Sequence, residues 1–204
     1  MKIIKSLPAI LMTIISVSTY SQQRPAEIKM VSEYGSENAE VSNILEFQNI
    51  DFYQTSFIGE SVKNKHFIIL AKEMWDGEIS RIDTIVNTLS QGDRGKINSD
   101  TLKATIIGSR VDNNKLKIYF RFPMFVVTRK YDATASDDYS LRSIASDLKI
   151  TSEKAFPAFA YILPYEDGNW KMYCAVDQSG EKVEDWGKKF KIKHYIIFEM
   201  KFFQ

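Results

Sequence analysis

Two stretches of strict apolar–polar alternation limit what this chain can fold into. In residues 115–122, Leu116, Ile118, Phe120 and Phe122 alternate with Lys115, Lys117, Tyr119 and Arg121. Successive side chains of an extended chain point to opposite faces, so this pattern specifies a strand with one dry and one wet face. Residues 189–202 repeat it: Phe190, Ile192, His194, Ile196, Phe198, Met200 and Phe202 alternate with Lys189, Lys191, Lys193, Tyr195, Ile197, Glu199 and Lys201. A helix would scatter each set around its circumference. Two such segments call for a sheet whose apolar face is covered by another layer.

The rest of the chain reads the same way. Residues 51–58, 66–75, 103–111, 158–163 and 170–176 are short runs rich in aromatic and β-branched residues. Asp76-Gly77 marks a two-residue hairpin, since both central positions of a type I′ turn need positive φ. Asp112-Asn113-Asn114 and Glu166-Asp167-Gly168-Asn169 mark two more. Pro123 places an edge or a bulge near the end of the strand carrying Phe120. Leu141, Ile144, Ala145 and Leu148 fit a helical stripe, and so do Ile82, Ile85, Val86 and Leu89. For residues 78–89 the preceding Asp-Gly turn favours a strand. The expected fold is all-β: an antiparallel β-sandwich, immunoglobulin-like or jelly-roll in type, of about eight strands with one or two short helices.

The N-terminus supplies an address. Lys2 and Lys5 precede an apolar run over residues 7–17, and Thr19 and Ser21 set small residues before Gln22, the layout of a secretory signal peptide. The run falls short of the roughly 20 residues that span a bilayer. Residues 1–21 are therefore expected to be a signal peptide, residues 22–42 a polar, flexible arm, and residues 43–204 a single domain. Export would place the protein in the periplasm or outside the cell, with no transmembrane segment in the mature chain. Residues 1–21 hold two of the 27 basic residues and none of the 26 acidic ones, so the remainder is near neutral. Nucleic acid is a poor partner for such a chain. Cys174 is the only cysteine, which excludes an intramolecular disulfide.

With its Ser21-Gln22-Gln23 junction and all-β pattern, the chain resembles the small secreted or periplasmic β-sandwich proteins of unknown function found in bacteria. The resemblance is one of layout and implies no site residue.

Chemistry-bearing residues are few. Cys174 shares an alternation face with Trp170, Met172 and Val176, the environment of a packed thiol and not a nucleophile. His194 sits on an apolar face, where a polar ring needs a partner; a hydrolase would use it with a carboxylate such as Glu184 or Asp185. His66 follows a turn and is expected to be exposed. No metal-ligand spacing is visible, and no cofactor is implied.

The distinctive feature is charge. Residues 101–130 hold seven basic residues against one acid, Asp112. Lys115, Lys117, Tyr119 and Arg121 project to one side, and Lys189, Lys191, Lys193 and Tyr195 form a second stripe. Were the two strands neighbours, they would make a basic face for an envelope glycan, a lipid headgroup or a protein. Trp75, beside its turn, adds a ring suited to stacking on sugars. The sequence thus favours a non-catalytic extracytoplasmic binding or scaffold domain. The alternatives are the His194 hydrolase and an assembly subunit that uses an edge strand.

Overall fold

A computed structural model describes residues 27–111, 114–173 and 181–204 of the chain. The expected signal peptide, Asp112 and Asn113 of the second turn, Cys174 and Val176 lie outside these residues.

Two five-stranded antiparallel sheets stack on one another. The first contains β1 (Lys29–Tyr34), β2 (Ile50–Ile58), β5 (Thr101–Val111), β6 (Lys115–Arg121) and β7 (Val126–Asp132), in that spatial order. The second has the order β4 (Glu78–Asn87), β3 (His66–Trp75), β12 (His194–Phe203), β9 (Phe156–Ile162) and β8 (Ser140–Ser143). A small hairpin, β10 (Tyr165–Asp167) with β11 (Trp170–Met172), stands apart from both. An all-β sandwich is what the alternation predicts, with twelve strands among the described residues where about eight are expected.

The core forms where the dry faces meet. Phe120 of β6 meets Phe198 of β12 edge-on at 5.4 Å, and Phe57 of β2 meets Phe202 at 5.6 Å. Gly108 of β5 leaves room for the ring of Tyr161 on the facing sheet; a Cβ there would stand 3.2 Å from Tyr161 Cε1. Such aromatic pairs add to the hydrophobic term of roughly 25 cal/mol per Å² of apolar area buried. One flank is closed between β4 and β7, where Tyr131 and Arg129 both reach Asp83.

The Asp76-Gly77 hairpin forms as expected, with φ of 49° and 80°. Residues 78–89 are largely strand β4. Four local expectations are overturned. Residues 22–42 are not an arm over their described part: β1 pairs with β2 and buries Met30, and helix α1 (Ala39–Phe47) follows, capped by the Asn38 side chain. Leu141–Leu148 is not a helix, because backbone pairing with β9 captures residues 140–143 as β8. His66 is 3% exposed, its ring facing the Thr88 hydroxyl at 3.3 Å. Trp170 and Met172 do not lie on a core face; Trp170 is 76% exposed because no layer covers the small hairpin.

Candidate functional site

The eight residues singled out from the sequence separate into three places. Lys115, Lys117, Tyr119 and Arg121 lie on the outer face of the first sheet, as the alternation predicts. Lys191 and Lys193 lie at one end of the sandwich, in the connection between helix α2 (Trp186–Phe190) and β12. Trp75 and Tyr195 belong to neither surface. The two lysine stripes therefore do not form one face: β6 and β12 are in different sheets, and residues 189–193 are not strand.

Tyr195 explains the failure of the second stripe. It is fully buried, because residues 183–187 fold over the outer face of β12. Its hydroxyl lies 3.0 Å from the carbonyl oxygens of Val183 and Glu184 and accepts a hydrogen bond from the Gly187 N–H. Gly187 has no room for a side chain; a Cβ would stand 2.6 Å from Gly77 Cα. Alternation reports one dry face and cannot see a short helix covering the other.

Neighbours of a different kind complete the first stripe. Lys117 is registered between Ser109 of β5 and Lys130 of β7, and Lys103 projects from β5 near Arg121. Lys115 pairs with Asp132. Among the described residues Lys103, Lys117, Arg121 and Lys130 have no ion-pair partner. Lys117 and Lys130 stand directly opposite each other, an arrangement that costs stability. From Lys117 to Arg121 the strand advances about 13 Å at ~3.3 Å per residue. Arg121 and Lys103 flank a groove of about 330 Å³ that crosses the strands; Gln54, Ser56 and Thr105 line it, with Glu33 at its far side.

His194 lies at the sandwich end with no exposed surface. Its Nδ1 is 2.7 Å from the Tyr139 hydroxyl, and its ring packs 4.0 Å from that of Trp75. The facing carboxylate is Glu73, 3.4 Å from Nε2, in place of the expected Glu184 or Asp185; Glu184 accepts a bond from Lys72 instead. Trp75 donates its indole N–H to Glu73 at 2.9 Å, so it serves this buried cluster rather than an exposed surface. Burial pushes the Glu73 pKa up, but His194 and the Trp75 N–H outweigh it and hold the carboxyl below its ordinary value. A histidine, a carboxylate and a phenol meet here, yet the imidazole touches no solvent on which a substrate could arrive.

A second acid was missed from the sequence. Asp51 is 8% exposed and accepts from the Leu141 N–H at 2.8 Å and the Tyr34 hydroxyl at 3.1 Å. Burial pushes its pKa up to about 6 against the opposing pull of these bonds. It shares the inward face of β2 with Tyr53, Thr55 and Phe57, and a single acid near the start of a strand carried no signal.

Lys191 and Lys193 border a surface cleft of about 720 Å³. No set of three or more His, Cys, Asp or Glu side chains suited to a metal occurs among the described residues. Among those residues no helix is long and apolar enough to cross a membrane. No protein-family model, curated protein or solved structure matches the chain.

Proposed function

We propose that this chain is a non-catalytic, exported binding domain whose first sheet presents its outer face to an anionic glycan of the cell envelope. The observation that carries the reading is the set of four unpaired cations, Lys103, Lys117, Arg121 and Lys130, on one sheet face. Like charges held together without counter-ions cost stability and attract an anion from solution. The polar groove beside Arg121 favours a chain of hydroxylated rings over a lipid surface, since a flat bilayer cannot enter it. Tyr119, half-buried between Lys117 and Arg121 on the same face, adds an aromatic ring beside the cations.

Binding to acidic and neutral polysaccharides, followed by calorimetry at rising salt, tests this. The reading expects binding to acidic chains only, weakening with salt, and at least a tenfold loss in Lys117→Glu with Arg121→Glu. Equal binding of neutral chains, unchanged binding by the variant, or capture only by anionic vesicles would overturn it.

The hydrolase alternative loses support because His194 is enclosed. Assembly through an edge strand has one favourable feature, exposed Ile79 and Ile82 on β4. Two register irregularities against β3 and the charges of Glu78 and Arg81 oppose such pairing.

A further inference from the structure

We infer that the cleft at the sandwich end is a binding site for a sugar acid, a pyranose ring carrying a carboxylate. This is a second site, and it does not depend on the outer-face reading.

Three features of the cleft point to that chemistry. The first is cationic. Lys191 and Lys193 are exposed and have no ion-pair partner among the described residues, whereas Lys171, on the same cleft, is held by Asp138 at 2.6 Å. The second is an apolar wall: Tyr165 and Phe190 pack with ring centres 5.5 Å apart, and both remain half-buried. A pyranose lays its C–H face on such rings. The third is a pair of acceptors, Glu166 and Asp138; Asp138 Oδ2 accepts from the Ser136 hydroxyl at 2.8 Å and from Lys171 at 2.6 Å, and its second oxygen has further acceptor capacity. These carboxylates oppose any anion, and a bare phosphate or sulfate brings nothing to offset that, whereas a sugar acid donates its hydroxyls to them while the lysines hold its carboxylate. The ligand class that uses all three is one with an anionic group, several hydroxyls and an apolar ring face. The volume of about 720 Å³ lies within the ordinary range for small-molecule sites.

The backbone at Lys191 adds an independent argument. Lys191 ends helix α2 with φ of 57°, the left-handed region where glycine or asparagine is the ordinary occupant. A side chain there is strained, so its amine stands where a less strained residue would serve the fold better. The next turn is fixed in place, since the Lys193 carbonyl accepts the Asp76 N–H at 2.8 Å. Both amines thus project from an anchored connection, and the latched β10–β11 hairpin forms the opposite wall: Lys171 and the Tyr173 hydroxyl both reach Asp138.

The test separates binding from folding. Amide chemical-shift titrations of the purified protein would use sodium glucuronate, an oligoglucuronate, glucose and inorganic phosphate. The inference expects saturable shifts at Lys191, Lys193 and Tyr165 with the two acids and none with glucose or phosphate. An oligomer binding at least tenfold tighter than the monosaccharide identifies a chain end as the ligand; equal affinity identifies the free acid. Lys191→Gly should bind at least tenfold more weakly and yet melt at a higher temperature, because the strain is relieved as the amine is lost. Read at Lys191, Lys193 and Tyr165, the glucuronate titration should have the same midpoint in the outer-face variant Lys117→Glu with Arg121→Glu, which separates the cleft from the outer face. Absence of shifts with both acids, equal shifts with phosphate, or unchanged affinity in Lys191→Gly together with Lys193→Ala would overturn the inference.

Discussion

Residues 115–121 and 194–202 carry the same alternation, yet the structure treats them oppositely. Strand β6 lies beside β7, with one face dry and the other in water, so Lys117 and Arg121 stay exposed. Strand β12 is the centre of the other sheet and is covered on both sides at its start, so Tyr195 and Ile197 are as buried as Ile196 and Phe198. A polar or amphipathic residue in alternation therefore marks a face that can be wet, while the neighbouring elements decide whether it is. Functional surface survives only where nothing folds over it.

Substitutions at matched positions would break this comparison most directly. Tyr195→Lys should destabilise the protein by more than about 4 kcal/mol, since it buries a charge and strands the groups that meet the Tyr195 hydroxyl. Tyr119→Lys, in the equivalent phase of β6, should cost no more than about 1 kcal/mol, the added like charge included. Denaturant unfolding of both variants is the measurement, and similar losses would mean that β6 is also covered.

The next effect is a pH dependence. The folded pKa of Asp51, about 6, exceeds its ordinary value of 3.8. The protonated acid therefore favours the fold. That contribution is complete below 3.8 and is lost as pH rises through about 6. Stability of the parent relative to Asp51→Asn should fall by about 3 kcal/mol between acid and neutral pH. A parallel pair of stability–pH curves would show instead that Asp51 is solvated.

At the enclosed end, Tyr139→Phe should cost about 1–3 kcal/mol, because His194 Nδ1 and the Thr134 N–H both lose a partner. Thermal melts would show it. A small change of the opposite sign is expected on the outer face. Lys117→Glu sets opposite charges across β6 and β7 and should stabilise by about 0.2–1 kcal/mol. If the same variant weakens glycan binding, the unpaired lysine is held there at the expense of the fold.

Most strands could be read from local pattern because each strand's residues decide its own alternation. His66–Trp75 matches β3 in full, and Asp76-Gly77 turns as its left-handed propensity dictates. The failures share a cause. Leu141–Leu148 has helical spacing, but hydrogen bonding to β9 satisfies the backbone better than an isolated turn of helix does. Trp170 and Met172 look like core until the small hairpin is seen to lack a covering layer. Half of the candidate site was legible, namely the β6 stripe. Its partners Lys103 and Lys130 were not, since register between strands is a long-range property. The same holds for Glu73 as the partner of His194, which a β3–β12 pairing brings close from far along the chain.

By itself the sequence determined that this chain forms strands, where most of them turn, and that residues 101–130 carry a strong excess of bases over acids. Those properties follow from backbone preference and side-chain period, which act over a few residues. Tertiary structure alone decided which alternating faces remain in water, which lysines lack counter-ions and that both histidines are buried. Each of these depends on what packs against a strand, and that neighbour comes from a distant part of the chain.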